Sequence, residues 1–130
     1  MNFYATVPST AGMNLPIGTA AEVGDLVYLS GFVHLDPANP DIPFEEAATK
    51  TIGIIEGVLG DLGLSLDHVF KVSAFLGDWA NFPAWNALFA EKFSVPRPLR
   101  TTVVLSLAAG AQIEVEVIAT KTTRADSAAA

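Results

Sequence analysis

Apolar residues recur along this chain with two distinct periods. Phe44, Ala48, Ile52, Ile55, Leu59 and Leu62 are spaced by three or four, with Ile54 and Val58 widening the stripe. That period predicts an amphipathic helix over residues 44–62. Gly63 suits the left-handed stop position that follows it. Gly53, Gly57 and Gly60 weaken such a helix by up to about 1 kcal/mol each relative to alanine. They are expected where the helix packs closely on a sheet. They follow no strand, so they do not form a nucleotide-binding glycine loop. A second helix is expected over residues 82–93. Its stripe is Phe82, Trp85, Phe89 and Phe93, with Asn81 as N-cap and Pro83 in the first turn.

Elsewhere the period is two, or the run is short and β-branched. Residues 2–7, 19–22, 26–33, 68–76, 101–107 and 112–120 read as strands. In residues 68–76, Phe70, Val72, Ala74 and Leu76 are expected on one face, with Val69, Lys71, Ser73 and Phe75 on the other. Residues 8–16 and 36–41 are rich in turn formers. The order β-β-β-α-β-α-β-β predicts one α+β domain over residues 1–120, with residues 121–130 as a flexible C-terminal tail. Right-handed crossovers put both helices on one face of a mixed sheet. The other face is then apolar and uncovered, which predicts an oligomer.

Composition agrees. Of 130 residues, 51% are hydrophobic and only 16% charged. A chain this small has much surface per volume, so an apolar surplus points to burial between subunits. The net charge of −7 disfavours nucleic acid, whose binders need a basic stripe. The basic residues are scattered except for the stretch from Arg97 to Arg100. With no cysteine, disulfides, thiolate metal sites and a cysteine nucleophile are excluded. No apolar run approaches the ~20 residues of a membrane span, and the first residues lack the pattern of a signal peptide. A cytoplasmic protein without membrane or nucleic-acid partners is expected.

Little obvious chemistry stands out. His34 and His68 have no partner at ligand spacing, so no metal site is expected. No serine sits in a nucleophile elbow. Trp79 and Trp85 read as core or interface packing. Two features remain. Arg100 follows Pro98 at the mouth of a strand, where its planar fork suits a carboxylate; the alternative is an ordinary surface arginine. Glu114 and Glu116 share a strand face with Ile118 and Thr120, while Ile113, Val115 and Val117 take the other. A carboxylate in a partly apolar cleft can serve as general base toward water; the alternative is an edge strand with solvated glutamates. If the last two strands formed a hairpin, Arg100 would face Ala119. Glu114 would then lie about 16 Å away, too far for one small substrate. A shared site needs another strand pairing or a second subunit.

Several ordered pieces carry a resemblance over about residues 14–120. They are Val27-Tyr28-Leu29-Ser30-Gly31, Phe75-Leu76-Gly77-Asp78 with Phe82, and the stretch Asn86 to Phe93. Pro98-Leu99-Arg100-Thr101 and Ile113-Glu114-Val115-Glu116-Val117-Ile118-Ala119 follow. Together they resemble the reactive intermediate deaminase (Rid, or YjgF/YER057c/UK114) family. The resemblance implies a chorismate-mutase-like fold, a homotrimer with clefts between subunits, and no cofactor. It implies hydrolysis of small imines and enamines, such as 2-aminoacrylate, to 2-oxo acids and ammonia. This is a C–N hydrolase of the 2-iminobutanoate/2-iminopropanoate deaminase type. Arg100 matches the residue that binds the substrate carboxylate, and Glu114 the one that orients water. Gly31 and Ser30 match a backbone contact and its neighbour, and Asn86 an asparagine near the cleft.

Two positions depart from that pattern. Ile17 stands where many deaminating members have tyrosine, and Thr102 where cysteine is common. Ile17 removes a phenol and points to a pathway-specific member with a larger or more apolar substrate. The alternative is a non-catalytic protein of the same fold that binds small carboxylates. A ribonuclease is the weakest reading on charge.

Overall fold

A computed structural model describes residues 1–129. Six strands form one mixed sheet: β1 (Asn2–Tyr4), β2 (Ala20–Val23), β3 (Leu26–Leu29), β4 (Val69–Leu76), β5 (Leu99–Val104) and β6 (Ile113–Thr120). Helix α1 (Phe44–Asp61) joins β3 to β4, α2 (Phe82–Lys92) joins β4 to β5, and α3 (Arg124–Ser127) follows β6. The strand order is β1-β2-β3-β6-β4-β5. Only β4 and β5 run parallel; every other pairing is antiparallel.

The α+β class and the element order follow the periodicity. The pairing of the last two strands does not. β4 lies between β5 and β6, so no hairpin forms around Ala109 and Gly110. A parallel partner needs a crossover, and α2 supplies it. β5 is thereby left as an edge strand.

α1 and α2 contact each other on one face of the sheet. Beneath them lies a core of Val27, Val72, Leu76, Val115 and Val117, closed by Ile52, Ile55, Leu59, Trp85 and Phe93. The opposite face has no layer over it. Tyr28, Leu99 and Val103 are exposed there, and Phe75 and Ile118 are half-buried.

Four local expectations are corrected. Val69 belongs to the buried face and Phe70 is only partly buried, because the register with β6 shifts between Val69 and Lys71. Asn81 makes no side-chain cap; Asp78 instead accepts from the Ala80 amide at 2.9 Å, in the turn leading into α2. Among the α1 glycines only Gly57 marks a close approach, and its neighbour is a loop: an added Cβ would lie 2.8 Å from Ser9 Oγ. Gly53 and Gly60 face open space.

The fourth concerns the segment after β6. Its α3 helix is tied down by Arg124, whose guanidinium donates to the carbonyls of Leu66 (2.6 Å), Val69 (2.7 Å), Ser94 (2.9 Å) and Pro96. The expected tail thus contains an anchored turn of helix. Its final residue, Ala130, lies outside the described residues.

Candidate functional site

The strand registers sort the residues singled out above onto two faces of the sheet. Arg100 pairs with Val72 and Thr102 with Ala74, both on the helix-covered face. Their side chains meet α2. Arg100 Nη2 donates to Asn86 Oδ1 at 2.9 Å. Its guanidinium carbon sits 4.7 Å from the Phe89 ring centroid and 5.6 Å from that of Phe82. These rings attract the cation. Trp85 Nε1 donates to Thr102 Oγ1 at 3.3 Å. Partial burial lowers the Arg100 pKa from its ordinary value, but a guanidinium remains protonated at neutral pH.

Glu114 pairs with Phe75 on the uncovered face. Beside it the chain leaves β3. Tyr28 pairs with Ile118, and the next bridge joins Phe32 to Val115. That is four steps on one strand against three on the other, so a bulge lies at Ser30-Gly31. This is why the strand expected to reach residue 33 ends at Leu29. The bulge brings Gly31 against Glu114: an added Cβ would lie 3.2 Å from the carboxyl carbon. Ser30 Oγ donates to the Gly18 carbonyl at 2.6 Å, and its amide to the Thr19 carbonyl at 3.0 Å. These bonds tie the loop carrying Ile17 to the bulge. Ile17 is 53% exposed and flanks a small apolar hollow with Met13, Leu15 and Phe32.

The candidate residues therefore fall into two separate clusters. One has Arg100, Asn86 and Thr102; the other has Glu114, Gly31, Ser30 and the Ile17 loop. Through β4, Arg100 aligns with Val117, three residues from Glu114. Two strand spacings and three residues separate them by roughly 14 Å, with the side chains on opposite faces. No small substrate can bridge them within one chain.

Three features escaped the sequence. Phe82 and Phe89 read as core stripe, yet they also flank the Arg100 guanidinium. Trp85 is fully buried but donates to Thr102. Arg97 lines the same open cleft as Arg100, Asn86, Phe89 and Ala90. The three-residue spacing of the arginines was the one available signal. Trp79 is 60% exposed and stacks on Phe82 at 4.5 Å, so it is not core. His34 and His68 lie in no group able to hold a metal ion among the described residues.

The family described as Endoribonuclease L-PSP matches residues 16–121. The chain is 36% identical over 95 residues to the 3-aminoacrylate deaminase RutC of Acinetobacter baylyi, covering 71% of this chain and 75% of that one. It is 32% identical over 107 residues to the 2-iminobutanoate/2-iminopropanoate deaminase of Dermatophagoides farinae, covering 79% and 84%. Among solved structures, RidA from Psychrobacter sp. superposes with a TM-score of 0.74 at 29% identity, covering 82% and 89%. Yeast YEO7 superposes with a TM-score of 0.81 at 29% identity, covering 93% and 100%.

Proposed function

This chain belongs to the reactive intermediate deaminase (YjgF/UK114) family, and from that premise we propose that it hydrolyses 2-imino acids or their enamines to 2-oxo acids and ammonia. The observation that carries the proposal is the Arg100 guanidinium, half-buried at a sheet edge, held by Asn86 and flanked by Phe89. It is cationic, oriented and open to the cleft, as a carboxylate clamp must be. Two relatives named as deaminases support the same chemistry.

The second half-site supplies the rest. Glu114 is an acceptor beside the Ser30-Gly31 bulge, suited to orient water and take its proton. Imines hydrolyse readily, so fixing the carboxylate and positioning water accounts for most of the catalysis required. The two halves are proposed to meet between subunits, with Arg100, Asn86 and Thr102 from one copy and Glu114, Gly31, Ser30 and Ile17 from the next. The uncovered sheet face supports this, because it leaves Tyr28, Leu99 and Val103 exposed among Lys71, Ser73 and Thr101, a mixed surface that a second copy could cover. The assembly proposed is a homotrimer with three such clefts and no cofactor. The chain carries no long apolar helix among its described residues, and a cytoplasmic location is proposed.

The test is direct. Imino acids are generated in situ from amino acids by an oxidase, and 2-oxo acid release is followed. Wild type is expected to accelerate release, and Arg100→Ala to lose at least tenfold in kcat/KM. Carboxylate binding by wild type without acceleration of any imine would favour a binding protein instead.

A further inference from the structure

The chain has three arginines. Arg124 is anchored by backbone carbonyls and lies 3.8 Å from Asp67. Neither Arg97 nor Arg100 has a carboxylate within 4.0 Å among the described residues. Both line one open cleft of about 470 Å³, together with Asn86, Phe89 and Ala90. In a chain of net charge −7, the unpaired guanidinia are thus gathered in one place, and no acid lines that place.

Their spacing can be read from α2. Arg100 Nη2 donates to Asn86 Oδ1 at 2.9 Å, and Arg97 Nη2 donates to the Ala90 carbonyl at 3.3 Å. Asn86 and Ala90 are one helical turn apart, so the two anchoring contacts are separated by about 6 Å along the axis. The Ala90 carbonyl is in the last turn of α2, where carbonyls lack a helical partner and favour a cation. Each guanidinium has five N–H donors and spends one in these bonds. The remaining donors are available to the cleft.

We propose that Arg97 binds a second carboxylate, so that the preferred substrates are the imines or enamines of four- or five-carbon 2-amino dicarboxylic acids. This rests on the deaminase reading above and narrows it. With the first carboxylate on Arg100, a four-carbon chain carries its second carboxyl carbon about 4 Å further on. That suits two guanidinia held against adjacent turns of α2, whereas a monocarboxylate leaves Arg97 facing an uncharged substituent. The larger substrate expected from Ile17 is then met by added charge rather than added apolar bulk. The chemistry is a hydrolysis. The water oxygen bonds to C2, its protons pass to nitrogen, the C2–N bond breaks, and ammonia leaves a 2-oxo dicarboxylate. Nothing is oxidised or reduced.

The experiment compares 2-iminosuccinate and 2-iminopropanoate, generated from L-aspartate and L-alanine by flavin oxidases. The readout is the ratio of the two kcat/KM values. Wild type is expected to favour the dicarboxylate by at least tenfold, in line with one charge-assisted contact. Arg97→Gln should lower the ratio about tenfold, while Arg97→Lys keeps most of it. Raising salt from low to high ionic strength should lower the ratio in wild type and not in Arg97→Gln. A wild-type ratio near one, or an equal ratio in Arg97→Gln, overturns the dicarboxylate preference while leaving deamination standing. Acceleration of neither imine overturns both.

Discussion

Mixing two inactive variants tests whether the site is built from two chains. Arg100→Ala removes the proposed clamp, and Glu114→Gln removes the proposed base. Arg100 and Glu114 lie on opposite sheet faces, roughly 14 Å apart along the registers, so the proposed cleft takes them from different copies. In a closed ring, a cleft is intact only when the copy giving the arginine carries Glu114→Gln and the copy giving the glutamate carries Arg100→Ala. Random assembly of an equal mixture makes that arrangement in about one cleft in four. The two variants are co-expressed under different tags, or unfolded together and refolded. Imine hydrolysis is then measured per cleft against wild type. Each variant alone is expected to lose at least tenfold, and the mixture to regain about 25% of wild-type activity. A mixture no more active than the mean of its components, with subunit exchange demonstrated by the tags, refutes the composite cleft.

Three further outcomes follow from particular contacts. Gly31→Ala should lower kcat/KM about tenfold, because its Cβ would crowd the Glu114 carboxyl carbon at 3.2 Å and move it by a few tenths of an ångström. Its melting temperature should stay near that of wild type, and a large loss of stability would contradict the account. Arg124→Ala should cost about 3 kcal/mol in chemical denaturation at fixed protein concentration, chiefly through the partly buried carbonyls of Leu66 and Val69. A cost below about 1 kcal/mol would mean those carbonyls find other partners. The Tyr4 hydroxyl, donating to Glu22 at 2.7 Å, and then Lys121 hold the Glu22 carboxyl below its usual range. The stabilisation is therefore present above the unfolded carboxylate value of about 4.3 and lost as pH falls through the lower folded value. Tyr4→Phe should shrink that acid loss in a melting-temperature series, and an unchanged series counts against the contact.

Elements were legible where the side chains that bury themselves are local in sequence. The stripe from Phe44 to Leu62 needs only a helix to face one way, and Ile113, Val115 and Val117 need only an extended chain. Both are found buried, with Ile54 and Leu62 only partly covered. Failures occurred where one residue breaks the period. A shift at Val69–Lys71 and a bulge at Ser30-Gly31 change which face a side chain takes, and neither alters composition. The Arg124 anchor was invisible because its partners are carbonyls from 28 to 58 positions away.

For the site, the sequence by itself determined which residue types are present to carry chemistry. A chain without cysteine, with two isolated histidines and a proline-preceded arginine, leaves few groups able to hold and hydrolyse a small anion. Only the tertiary structure decided how those groups are arranged. It inserts β4 between β5 and β6, so the arginine and the glutamate lie two strands apart, and α2 brings Arg97 beside Arg100. Periodicity along a strand states which neighbours share a face. It does not say which strand lies alongside, because pairing is chosen by burial across the whole sheet.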